Sequence, residues 1–171
     1  MLDSKLEKAL NQQINKELQA WYTYLSMAAY CDTQHLTGFA KFMETQSREE
    51  QAHAHRLIRY VLDREGRVDL QAISPPPAEY GSLVEMFRQT MEQERSNTRA
   101  IYELYDLAKN VNDYATVAAL QWFLDEQVEE EKLMGDALGL LEFAGDDRSA
   151  LLALNQQYGA RPADEGESAE G

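Results

Sequence analysis

Apolar side chains recur with the period of an α-helix in four long stretches of this chain. In residues 4–31, Ile14, Leu18, Trp21, Leu25 and Ala28 share one stripe, uninterrupted by proline or glycine, which predicts a first helix. A second run starts near Gly38, carries Phe39, Phe42, Met43, Leu57, Tyr60 and Val61 inward, and ends near Gly66. The short turn between them makes the two helices antiparallel neighbours. Periodicity is lost over residues 67–81, where Pro75, Pro76 and Pro77 force an extended path before Gly81 and a predicted N-cap at Ser82. About 15 extended residues reach roughly 50 Å. A helix of about 28 residues is about 42 Å long, so the third helix is free to start at the opposite end from where the second stopped.

The third helix is predicted from about Ser82 to Lys109, with Leu83, Phe87, Met91, Ile101, Tyr105 and Ala108 inward. After a turn at Asn110, Asn112 and Asp113, a fourth runs to about Phe143 with Leu120, Phe123, Leu124, Met134, Leu138 and Leu141 inward. Asp113 reads as its cap. Beyond Gly145, Asp146 or Asp147 caps a short helix holding Leu151, Leu152 and Leu154, which Gly159 ends. So short an apolar helix is marginal alone and needs a partner to pack on. The expected fold is all-α, a four-helix bundle with one long crossover and a short fifth helix, in a single domain over residues 1–159. Residues 160–171 have the composition of a disordered tail.

Each of the four inner stripes turns polar near its middle. Glu17 lies at helical spacing from Ile14, Trp21 and Tyr24, and Glu94 likewise from Met91 and Ile101. Glu50 and His53 interrupt the second stripe; Gln127 and Glu130 interrupt the fourth. The interruptions are a repeat: an offset of 77 positions carries Glu17 onto Glu94, Glu49 onto Glu126, Glu50 onto Gln127 and His53 onto Glu130. One glutamate on a long helix usually faces water, and one histidine on an apolar stripe is usually a satisfied core residue. Matched interruptions on four helices instead describe the acidic pairs with which a bundle builds a two-metal site.

Charge supports that direction. With 30 acidic residues against 16 basic, the net charge is −14, which repels nucleic acid and anionic lipid and attracts cations. Glu17, Glu50, Glu94 and Glu130, buried together, cannot all stay ionised uncompensated. Two divalent ions would balance four such carboxylates. An oxygen-rich site with one imidazole suits iron(II) or manganese(II) better than copper or zinc. Cys31, the one cysteine, excludes internal disulfides and thiolate clusters and fits a reducing compartment. The start, MLDSKLEK, lacks the apolar segment of a signal peptide, and no apolar run approaches the roughly 18 residues that span a bilayer. A cytoplasmic location without membrane or nucleic-acid partners is expected.

Over residues 1 to about 158 the chain resembles the ferritins, and more closely the non-haem bacterial ferritins. The resemblance implies iron storage with ferroxidase activity: iron(II) oxidised by O2 or peroxide and kept as iron(III) mineral inside a homo-oligomeric shell of 24 subunits. It implies that Glu17, Glu50 and His53 hold a first iron, that Glu50 bridges, and that Glu94 with Glu130 holds a second. Gln127 stands beside the site as a weak ligand at most. Glu49, Glu126 and Glu129, with Glu130, correspond to a third iron site, although the acidic run at 129–131 also suits an exposed face. Tyr24, at i+7 from Glu17, corresponds to a site tyrosine that donates one electron, or else rests its hydroxyl on a carboxylate. Trp122, next to Phe123, reads as packing. The fifth helix would line four-fold axes.

Two departures exclude neighbouring families. Bacterioferritins repeat the Glu-x-x-His pair, where this chain has Gln127 and Glu130, and carry a haem-binding Met where this chain has Gln51. Haem is therefore not expected. A rubrerythrin needs more cysteines than one. The alternative function for the same ligands is a di-iron oxidase or peroxidase without storage.

Overall fold

The computed structural model describes residues 2–161, in which five helices follow one another: α1 (Ser4–Thr33), α2 (Thr37–Asp63), α3 (Leu83–Asn110), α4 (Tyr114–Ala144) and α5 (Arg148–Gly159). The architecture is an all-α four-helix bundle with a short C-terminal helix packed on one end. Helix starts follow local chemistry. The Asp3 carboxylate accepts from the Lys5 and Leu6 amides, and Asp147 accepts from Ser149 and Ala150. Ser82 and Glu85 form a reciprocal capping box that starts α3 where predicted. Asp113 caps α4 through the Thr116 amide and forms a two-pronged ion pair with Arg64, which favours the cap reading.

α2 lacks a side-chain cap of its own, since Leu36 occupies that position. Its opening amides are met from α5 instead: the Asn155 Oδ1 accepts from the Gly38 and Phe39 N–H groups at 2.9 and 3.1 Å. This contact requires glycine at position 38, where a Cβ would fall 1.7 Å from the Asn155 carbonyl oxygen. The short helix thus gains the partner its sequence called for.

The crossover is tied along the whole length of α1. Asn11, Asn15 and Gln19 each donate a side-chain N–H to a crossover carbonyl, those of Arg67, Asp69 and Ser74. Each also accepts from a crossover amide, those of Asp69, Gln71 and Ser74. Ser26 and Tyr30 continue the line with bonds to the Pro77 and Gly81 carbonyls, both 2.6 Å. Amides four residues apart on a helix lie about 6 Å apart, close to the spacing of alternate residues in extended chain. The segment therefore runs parallel to α1 and delivers α3 beside the start of α2.

The α1 stripe differs from the expected one. Leu6, Leu10, Ile14, Glu17, Tyr24, Met27, Ala28 and Cys31 are among its buried residues, so Ile14 and Ala28 of the expected stripe face inward, while Leu18 and Trp21 are half-buried and Leu25 is exposed. The crossover runs along a polar side of α1, and packing on α2 and α3 buries a stripe turned away from Leu25. Ala160 and Arg161, assigned to the tail by composition, cap α5 and reach the Tyr158 ring, respectively. Residues 162–171 of that tail lie outside the described residues. Among the described residues no helix is long and apolar enough to cross a membrane.

The core consists of two apolar clusters. One holds Tyr24, Met27, Phe39, Met43, Phe87, Met91 and Met134; the other holds Leu10, Ile14, Leu57, Ile101, Leu120 and Phe123. Between them lies a layer of buried polar side chains contributed by all four long helices.

Candidate metal centre

The layer contains Glu17, Glu50, His53, Glu94, Gln127 and Glu130, all of them buried. Helical periodicity puts them there: each lies at helical spacing on the inner stripe of its helix, so the side chain enters the bundle whatever its polarity. Glu17, Glu50 and His53 bring one potential ligand atom each within 4.8 Å of one another, and so do His53, Glu126 and Glu130. The histidine joins the two groups. Its Nδ1 lies 3.6 Å from Glu50 Oε2 and its Nε2 lies 3.9 Å from Glu126 Oε1.

Glu94 joins neither trio. Its Oε1 accepts a 2.5 Å hydrogen bond from the Tyr24 hydroxyl, the contact anticipated in one of the two readings of Tyr24. Burial and the Glu94 carboxylate push the Tyr24 phenol well above its ordinary range, so the proton stays on tyrosine.

Electrostatics mark the layer as incomplete by itself. The Oε2 atoms of Glu50, Glu94 and Glu130 are buried without a hydrogen-bond partner. Such atoms cost free energy and call for a ligand. Burial, then neighbouring carboxylates, raises the Glu50 and Glu130 carboxyls far above the normal carboxylate range. Burial likewise pushes Glu94 up to about 7, in spite of the hydrogen bond from Tyr24 that favours its charged form. Bound cations would supply the missing compensation.

Beside the layer, between α2 and α4, opens a cavity of about 650 Å³ lined by Glu49, His53, Trp122, Glu126, Glu129 and Glu130 among others. The four carboxylates read from sequence as a third position therefore share one cavity. Their environments differ: Glu130 is buried, Glu49 and Glu126 are half-buried, and Glu129 is exposed at the rim. Gln46 donates to the Glu49 carboxylate. Trp122 packs where the sequence reading placed it, its ring edge-to-face with His53 at 5.3 Å and under the Arg56 guanidinium at 4.1 Å.

Sequence reasoning missed the amides around Glu17. Gln13 donates to its Oε1 at 2.6 Å and Asn97 to its Oε2 at 3.1 Å. Gln127, expected as a weak ligand, instead donates to the Glu94 carbonyl and to Thr98 Oγ1, and its Oε1 accepts from Asn97 at 3.4 Å. A signal for Asn97 existed, because it stands three residues after Glu94, the spacing that relates His53 to Glu50.

Known proteins share this sequence and this fold. A bacterial non-heme ferritin of Staphylococcus aureus (strain USA300) is 41% identical over 165 residues, 96% of this chain and 99% of that relative. One from Staphylococcus epidermidis matches with the same identity and coverage. Among solved structures, an open pore ferritin from the archaeon Archaeoglobus fulgidus superposes with a TM-score of 0.93 at 40% identity, covering 95% of this chain and 99% of that one. A closed form of it, engineered by site-directed mutagenesis, gives 0.92. The family model of the ferritin-like domain matches residues 7–144, and with this bundle and these relatives the chain belongs to the ferritin family.

Proposed function

We propose that the chain oxidises iron(II) in the buried polar layer and stores the iron(III) as mineral within an oligomeric shell. The observation that carries the reading is the set of three donorless carboxylate oxygens, on Glu50, Glu94 and Glu130, in a layer that splits the apolar core. Iron is here the substrate. Glu17, Glu50 and His53 take one iron(II), and Glu94 with Glu130 takes the other. Glu50 would be the ligand the two positions share. Carboxylates and one imidazole form a donor set suited to iron that must change oxidation state and leave.

Two iron(II) ions give one electron each. O2 accepts the pair and two protons to leave as hydrogen peroxide, or peroxide accepts the pair and two protons to leave as water. The raised carboxyls of Glu50, Glu94 and Glu130 release protons as iron binds, because the cation replaces the proton in neutralising each oxygen. Tyr24 positions Glu94 through its hydroxyl; if it gives up an electron, its proton passes along the same 2.5 Å bond to Glu94 Oε1.

Glu49, Glu126, Glu129 and Glu130 line the route by which iron enters or leaves, and their graded exposure from rim to layer suits transfer in steps. Arg48 and Lys132 at the same cavity pair with Glu44 and Asp136, so the rim carries both signs of charge.

The test is aerobic stopped-flow oxidation with iron(II) varied through two and three equivalents per subunit, combined with particle mass. Twenty-four subunits of 19.5 kDa give a particle of about 470 kDa. The expected result is a rapid phase that saturates at two or three irons, mineral growth on further addition, and loss of the rapid phase in Glu50→Ala. A rapid phase unchanged in Glu50→Ala would refute the site. A small oligomer that oxidises iron yet never mineralises would refute storage.

A further inference from the structure

The four acidic residues of the layer are not held alike, and the difference lies in three buried amides. Gln13, Asn97 and Gln127 come from α1, α3 and α4, and each is almost wholly buried. The Gln13 Nε2 donates to Glu17 Oε1 at 2.6 Å and to Asn97 Oδ1 at 2.5 Å. The Asn97 Nδ2 donates to Glu17 Oε2 at 3.1 Å and to Gln127 Oε1 at 3.4 Å. The Gln127 Nε2 donates to the Glu94 carbonyl at 3.3 Å and to Thr98 Oγ1 at 3.2 Å.

A side-chain amide has two N–H donors, so all six in this chain of groups are engaged, in one direction, with acceptors. Turning an amide over would set its oxygen against an acceptor and, at Asn97 and Gln127, its N–H groups against the N–H groups of the next amide. Glu17 is therefore clamped at both oxygens. Each carboxylate oxygen has two lone pairs, so after the clamp one per oxygen remains for a cation. Glu50, Glu94 and Glu130 each keep an Oε2 that meets no donor at all.

We infer that Gln13 and Asn97 are positioning residues that hold Glu17 as the fixed ligand of the iron position it shares with Glu50 and His53, whereas Glu50, Glu94 and Glu130 each keep one oxygen that no donor holds. The inference rests on the proposed iron position. It makes the two positions unequal by a mechanism separate from ligand count: at one, Glu17 is held at both oxygens before iron arrives, whereas at the other Tyr24 holds Glu94 at one oxygen only and the Oε2 atoms of Glu94 and Glu130 meet no donor. Preorganisation of this kind is worth affinity because ordering is completed in advance.

The experiment is calorimetric titration of the full, metal-free assembled protein with zinc(II), a redox-inert stand-in for iron(II). Glu17→Gln and Glu130→Gln identify which binding step belongs to which position. Gln13→Met and Asn97→Leu keep side-chain volume while removing the donors. Each is expected to weaken the Glu17-dependent step by about 10- to 100-fold and to leave the Glu130-dependent step unchanged. Gln13→Met removes one of the two clamping bonds, and it carries the test if Asn97→Leu does not assemble.

Wild-type affinity for the Glu17-dependent step in the variants overturns the inference, and so does equal weakening of both steps, which signals general disruption. A Glu17→Gln protein that loses no step overturns the iron position itself and the inference with it.

Discussion

Replacing Glu94 by glutamine should make the metal-free protein more stable while it weakens metal binding. The Glu94 carboxyl is raised from 4.5 to about 7, chiefly by burial. A gap of that size corresponds to about 3 kcal/mol of differential interaction between its two protonation states. The direction in pH follows from linkage. Below pH 4.5 the carboxyl is neutral in folded and unfolded chains alike, and the glutamine changes little. As pH rises past that point the unfolded chain ionises first and native stability falls, until the folded group also ionises near pH 7. Above that pH the wild-type protein carries the full destabilisation, and the variant carries none. Glutamine keeps an Oε1 for the Tyr24 hydroxyl, so the 2.5 Å contact retains its acceptor. In a chain of this size 1 kcal/mol moves the melting temperature by about 2–4 °C, so the gain at pH 8 is about 6–12 °C. Calorimetry on chelator-treated protein at pH 4 and pH 8, with particle mass checked for both proteins, measures it. A variant that melts below wild type at pH 8, or that gains equally at pH 4, would refute the account of the layer as an electrostatically strained site.

Gly38→Ala sets a methyl group 1.7 Å from the Asn155 carbonyl oxygen and so forces α5 away from α2; the expected outcome is an altered oligomer mass by light scattering, with the bundle's helical circular dichroism retained. Asp113→Ala removes both the α4 cap and the Arg64 ion pair, whereas Asp113→Asn keeps a capping oxygen; the alanine variant should be less stable by about 1 kcal/mol in thermal melts. The Asp113 carboxyl is held down at about 2, mainly by Arg64, so its contribution is present above pH 3.8 and is lost as pH falls through that window, an effect absent from both variants. Trp122 touches the His53 ring while Trp21 stacks on Tyr22, so zinc(II) should change the emission of a Trp21→Phe protein and leave that of Trp122→Phe nearly unaltered.

Much of the fold was legible because helix periodicity, the Ser82 cap and the triple proline act locally. The repeat at 77 positions exposed the layer because four helices of similar length bring equivalent turns to one height. What escaped depends on relations between elements. The ladder from Asn11, Asn15 and Gln19 to the crossover is a helix-spaced row of amides meeting a strand-spaced backbone, and neither partner signals it alone. The inward side of α1 was misjudged for the same reason: Trp21 and Leu25 extend an apolar stripe, but packing against α2 and α3 determines which stripe is buried. At the site the charged residues were readable, since a carboxylate on an apolar stripe is conspicuous. The neutral Gln13 and Asn97 were not, although they govern how Glu17 is held.

The central claim is that the polar layer between the two apolar clusters binds two irons. Crystals soaked anaerobically in iron(II) and measured at the iron absorption edge test it directly. The account predicts two anomalous peaks within the layer, one bounded by Glu17, Glu50 and His53 and the other by Glu94 and Glu130. Iron density confined to the outer acidic cavity, with the Oε2 atoms of Glu50, Glu94 and Glu130 still unligated, would contradict it.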